Sequence, residues 1–161
     1  MDRECSMARL RNVNRSQKYE ALVQGLARQG NGGSVFSTIR ELMCFAALLG
    51  YELGAREQLP TDKGVEDIQI SIFENNDSID YIYMIAVGET GGTDVLRSDS
   101  EIDMVTIFEE YAHGGLGIIE DWMNQFSDTE GFKAIIQGLY SSGFISDETI
   151  SEQDLIKSVS F

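Results

Sequence analysis

The chain has 161 residues, 42% of them hydrophobic, with 12 Lys and Arg against 27 Asp and Glu and a formal net charge of −15. That length supports a core-bearing domain, and the composition is that of a globular chain, not a disordered one. The longest apolar run, residues 42–49, falls far short of the roughly 18 residues a membrane span needs. The start, Met1-Asp2-Arg3-Glu4, lacks the apolar core of an export signal. Cys5 and Cys44 build no disulfide framework, so a reduced, cytoplasmic setting is expected.

The charge is unevenly placed. Residues 1–63 hold nine basic and seven acidic side chains, a balance of +2, whereas residues 64–161 hold three basic and 20 acidic, a balance of −17. A polyanion is repelled by the second part and can at best touch the first.

Residues 1–6 read as a leader without structural consequence. Residues 8–13 read as a short strand or extended arm. Ser16 is placed to cap a first helix carrying Tyr19, Leu22, Val23 and Leu26, which stops at Gly30-Asn31-Gly32-Gly33. Ser34 or Ser37 caps a second, whose face holds Ile39, Leu42, Met43, Ala46 and Leu49. Cys44, Phe45, Ala47 and Leu48 make that helix apolar nearly all round, so it needs cover on several sides, from the core or from a second chain. Pro60 and Gly64 close this block.

Beyond it, Ile68, Ile70 and Ile72 alternate with Gln69, Ser71 and Phe73, a strand signal. Asn75-Asn76-Asp77-Ser78 is a turn and cap cluster, followed from Ile79 by a helix with Ile82, Tyr83, Ile85 and Ala86 inward and Gly88, Gly91 and Gly92 at its end. Asp99 or Ser100 is placed to start a long helix striped by Ile102, Val105, Phe108 and Ala112, then Leu116, Ile119, Met123 and Phe126. A break or kink is expected at Gly114-Gly115, because each glycine costs about 1 kcal/mol against alanine. Asp128 caps a further helix with Phe132, Ile135, Ile136 and Leu139, and residues 151–159 fit either a last short one or a frayed end. The sum is a mainly α, compact helical domain over residues 7–161 with one or two short strands. Its near-neutral start, 7–63, has the strand–helix–helix order of a ribbon–helix–helix unit, and 64–161 is an acidic helical part.

Motifs of catalysis are thin. Glu110 and His113 have the Glu-x-x-His spacing of a di-iron ligand pair, but such centres take that pair from two helices and this chain has one histidine. Asp99, Glu101, Asp103 and Glu110 imitate a calcium loop, yet its obligatory glycine position is Met104. The glycine-rich stretch 88–94 lacks the lysine of a phosphate-binding loop and carries Glu89 and Asp94. No Gly-x-Ser-x-Gly is present, and His113 is the only imidazole for a base. No metal and no cofactor is expected, and an enzyme is disfavoured.

Two surfaces remain as candidates. In ribbon–helix–helix units two strands pair across a dimer and enter the major groove of DNA. Arg9 and Arg11 share one strand face, with Arg15 and Lys18 near the first helix start, which marks these four as candidate DNA contacts. Glu109, Glu110, Glu120 and Asp121 are the candidate acidic surface for a basic protein partner.

Several segments resemble one bacterial family, the DNA phosphorothioation (dnd) system-associated protein 4 family. They are Ala8-Arg9-Leu10-Arg11-Asn12-Val13, Phe45-Ala46-Ala47-Leu48-Leu49-Gly50, Ile72-Phe73-Glu74-Asn75, Ala86-Val87-Gly88-Glu89-Thr90-Gly91 and Ile107-Phe108-Glu109-Glu110-Tyr111-Ala112-His113-Gly114-Gly115-Leu116. The resemblance implies a bacterial defence context in which a phosphate oxygen of DNA is replaced by sulfur. It brings no catalytic residues. The expectation is a non-enzymatic accessory protein acting through protein contacts, with a dimeric DNA-binding regulator of the gene cluster as the alternative.

Overall fold

The computed structural model describes residues 7–27 and 33–146. Its elements are β1 (Val13–Ser16), α1 (Glu20–Leu26), α2 (Ile39–Glu52), β2 (Val65–Ile68), α3 (Ile70–Glu74), α4 (Ile79–Thr90), α5 (Met104–Gln125) and α6 (Phe132–Ser141), with 3-10 turns at Gln17–Tyr19 and Thr93–Leu96. The protein is mainly helical, as its apolar periodicity predicts. It divides into two compact units, Met1–Ile118 and Ile119–Phe161, and α5 supplies residues to both. The leader and the tail helix expected at 1–6 and 151–159 lie outside the described residues.

In the first unit β1 and β2 pair antiparallel, with Val13 opposite Ile68 and Arg15 opposite Glu66. Asn12 fixes this register: its amide nitrogen donates to Asp67 Oδ2 (2.9 Å) and its amide oxygen accepts from Ile70 N–H (3.0 Å). The strand therefore lies five residues later than expected from 8–13, and its mate ends at Ile68. Ile70 and Ile72 belong to α3 instead. Alternation of three isoleucines is compatible with a strand running into one helical turn, since positions 68, 70 and 72 do not distinguish the two periods.

Helix starts are set by side-chain oxygens. Ser16 accepts from Lys18 N–H and so caps the 3-10 turn before α1. At α2 the cap is Thr38, which accepts from Glu41 N–H (3.2 Å), while Glu41 accepts from Ser37 N–H (3.0 Å). This reciprocal pair resembles a capping box and displaces the start from Ser34 or Ser37. Asp103 precedes α5 and accepts from Val105 N–H and the Thr106 hydroxyl, which moves that start from Asp99 or Ser100.

The core of the first unit includes Val13, Val23, Leu26, Leu42, Phe73, Ile82, Met104, Phe108 and Leu116, all essentially inaccessible. Each such large apolar side chain contributes about 1.5–3 kcal/mol by leaving water. Phe73 and Phe108 meet edge to face at 5.7 Å. α5 is one uninterrupted helix through Gly114 and Gly115, so the expected break is absent. The glycines serve close packing. A Cβ on Gly115 would stand 1.8 Å from the Ala46 carbonyl oxygen, and one on Gly50 would stand 2.1 Å from that of Tyr111. The pairs 46 with 115 and 50 with 111 make α2 and α5 antiparallel at backbone contact. α4 lies on another flank of α2 and runs parallel to it: Arg40 bonds Ser78 at their first turns, and the Tyr51 hydroxyl faces Gly88 at their last.

In the second unit the Trp122 indole lies over Gly138, where any Cβ would meet it at 2.0 Å. Asp128 accepts from Glu130 N–H and Ala134 N–H, and this pulls its carboxyl below the usual range.

Candidate functional site

The conspicuous charged residues of the sequence converge on α5. Glu109 is buried, and its carboxylate accepts from Arg11 Nη1 (2.6 Å), Arg11 Nη2 (3.0 Å) and the backbone N–H of Asn14 (2.6 Å). Arg11 reaches on to Asp103 (2.8 Å) and Thr106 (3.0 Å). The hydrogen bonds it donates to Glu109 lift the Arg11 guanidinium above its ordinary value, against the effect of burial. Burial pushes the Asp103 carboxyl up, but Arg11, Thr106 and the Val105 N–H together outweigh it and hold it low.

The next residue does the same on an adjacent side. Arg56 donates to Glu110 Oε2 (2.6 Å) and Glu89 Oε1 (2.6 Å), and the Tyr111 hydroxyl donates to Glu89. The Tyr111 bond and Arg56 pull the Glu89 carboxyl below its usual range, while burial and Glu89 push the Tyr111 phenol up to about 12. His113 is buried with its ring 5.0 Å from that of Tyr19. Burial, with Lys18 nearby, moves its pKa down, against the opposing field of Glu57.

The sequence-derived candidates are thus distributed as follows. Arg11 is tied to Glu109 and Asp103, and Arg15 is buried and bonded to Glu20, with Nε left without a partner. Lys18 Nζ sits 4.8 Å over the Tyr19 ring, and Arg9 is exposed. The strand of a ribbon–helix–helix unit pairs with its copy; β1 pairs with β2 of its own chain, and the Asn14 N–H is taken by Glu109. Of the acidic candidates, Glu109 is interior and Glu110 is held by Arg56, whereas Glu120 and Asp121 are exposed. Glu110 and His113 share no metal site: among the described residues there is no group of three or more His, Cys, Asp or Glu placed to hold an ion.

What the structure adds is a groove between the parallel helices α2 and α4. It encloses about 600 Å³ and is walled by Phe36, Cys44, Phe45, Leu48 and Tyr81. The Phe36 and Phe45 rings pack at 5.3 Å. Met84, one turn beyond Tyr81, is 58% exposed. Glu41 and Asp77 line the groove, and Arg40, also lining it, is spent on Ser78 and Glu41. Burial pushes the Cys44 thiol up to about 11, which keeps it protonated and unreactive at neutral pH.

Residues 12–158 match the profile of one protein family, described as DNA sulphur modification system-associated protein 4. The chain belongs to that family. Association with a DNA sulphur modification system is what the family description carries. No curated protein and no solved structure matches the chain. No helix among the described residues is long and apolar enough to cross a membrane. For this family member the sequence signalled the groove only as an apolar surplus on the second helix. Phe45 and Leu48, i and i+3, were legible as excess over one buried face, but their facing residues Tyr81 and Met84 lie outside the inward stripe of α4.

Proposed function

We propose that this chain is a non-enzymatic accessory protein of a bacterial DNA sulphur modification and restriction system, working in the cytoplasm through contacts with a protein component of that system. The carrying observation is the internal use of its cations. Arg11, Arg15 and Arg56 are each bonded to carboxylates of the chain itself. The charge left to meet a partner is therefore acidic, including Glu120 and Asp121. An acidic surface orients and speeds docking on a basic, DNA-handling protein.

The test is quantitative co-purification on the tagged full chain from cells carrying the gene cluster, beside a titration of the chain alone with cluster promoter DNA. Recovery of a modification or restriction component, with no DNA binding at low salt, is the expected result. Binding of the promoter at low salt without any recovered component would contradict the reading and favour the DNA-binding alternative through Arg9, Arg11, Arg15 and Lys18, because phosphate contacts are strongest there.

A further inference from the structure

We infer that the groove between α2 and α4 is the docking site for a basic amphipathic helix of a partner protein. The inference rests on the protein-contact reading above and gives it a place and a chemistry.

Three observations carry it. First, the walls are apolar and accessible: Tyr81 is 36% exposed, Phe45 and Leu48 are incompletely covered, and Met84, 58% exposed, continues the Tyr81 face of α4 one turn beyond the lining. Isolated exposed apolar residues are ordinary, but a contiguous groove of them marks an interaction surface. Second, its form suits a helix. Glu41, Phe45 and Leu48 form one stripe of α2, at i, i+4 and i+7, and Tyr81 and Met84, at i and i+3, form the facing stripe of α4. The groove follows α2 from Arg40 to Leu48, about 12 Å at 1.5 Å per residue, the length of about two helical turns. An apolar helix face laid into such a groove is a recurring mode of peptide recognition, and methionine adapts to the side chains it meets.

Third, the rim is acidic. Asp77 lines the groove, exposed Asp80 neighbours Tyr81 just outside the lining, and Glu41 offsets the lining cation, Arg40. Glu74 and Asp80 lie close enough to Tyr83 to reinforce the upward push that burial gives its phenol. An apolar helix flanked by Lys and Arg is complementary to this surface, and one flanked by carboxylates is repelled.

The test uses the full chain and a labelled peptide the length of α2, built of Leu and Lys at helical spacing, with fluorescence anisotropy as readout. A peptide of the same composition with scrambled periodicity is the control. The patterned peptide is expected to bind, the scrambled one to bind at least about tenfold more weakly, and high salt to weaken the complex. Met84→Lys, at an exposed position that leaves the core untouched, and the pair Asp77→Asn with Asp80→Asn are each expected to reduce affinity by about tenfold or more. Circular dichroism checks that each variant is folded. Equal binding of both peptides, or wild-type binding by folded Met84→Lys, would overturn the groove as the site. Co-purification separates this from the broader reading: a component retained equally by Met84→Lys and wild type sinks the groove alone, and a component absent from both sinks the accessory role.

Discussion

The two flanks of α2 that meet α5 and α4 show one apolar helix put to two uses. Against α5 the backbones touch, because Gly50 and Gly115 remove the side chains that would hold them apart. Against α4 the first and last turns are joined, by Arg40 to Ser78 and by Tyr51 to Gly88, while Phe45 and Leu48 between them stay in a groove. The glycine-lined flank excludes everything and holds the fold. The aromatic flank is accessible and stabilises little until something fills it. Small residues, Ala46, Gly50 and Gly115, meet on the sealed flank, and large ones, Phe45, Leu48 and Tyr81, wall the open one.

The contrast is broken most directly on the sealed side. Gly115→Ala gains about 1 kcal/mol of helix propensity. It also drives a Cβ to within 1.8 Å of a backbone carbonyl oxygen that cannot rotate away. Overpacking costs about 3 kcal/mol or more where, as here, the obstacle is backbone that cannot yield, so urea denaturation is expected to show net destabilisation of at least about 2 kcal/mol. An unchanged or raised midpoint would contradict backbone contact between α2 and α5.

Next in size is Glu109→Ala. It leaves the Asn14 N–H without its acceptor and removes two bonds from Arg11. Because the Arg11 side chain is 40% exposed and can rehydrate, the expected loss lies near the low end for a broken charged network, about 2 kcal/mol. If Glu109 instead serves as an open docking residue, the variant keeps its stability and loses a partner.

The pH dependence is expected in two steps. His113 has its folded pKa depressed below 6.5, so the unfolded chain takes up the proton first, and stability falls as pH drops from 6.5 toward the folded value. Replacing His113 by Asn removes that slope. Glu20, Glu89 and Asp103 also have depressed folded pKa values, so the stability they contribute is present above the ordinary carboxylate range and is lost below it as each is protonated. Urea midpoints across pH 4–8 for wild type and His113→Asn check both steps. The smallest effect is on the open flank: Met84→Lys changes stability by less than about 0.5 kcal/mol, as surface substitutions do. A larger loss would mean that the groove is part of the core.

Helices α1, α2, α4, α5 and α6 were legible because their apolar stripes and cap residues are local features, whereas α3 was not, its isoleucines reading as a strand. The long helix was legible too, but its glycines pointed to a break or kink, and the helix runs through them unbroken. Propensity counts glycine as a cost, and the gain comes from Ala46 and Tyr111, distant in the chain and near only after folding. The strand was displaced for a similar reason. Nothing near Val13–Ser16 announces that Asn12 will pin it to Asp67 and Ile70. The candidate sites suffered most. Glu109 and Glu110 look alike in sequence, and Arg11 and Arg56, 98 and 54 residues away, decide that both are paired within the chain. The groove requires two helices to be known as parallel neighbours, which no single stripe encodes.

The account turns on whether a protein of the modification system meets the α2–α4 flank. A photo-crosslinking amino acid at position 84, expressed in cells carrying the gene cluster, reads this out, with the same group at exposed Glu101 as the reference position. The account predicts a crosslink from position 84 to a modification or restriction component, and a much weaker one or none from position 101. Crosslinks of equal yield from both positions, or none from position 84, would contradict it.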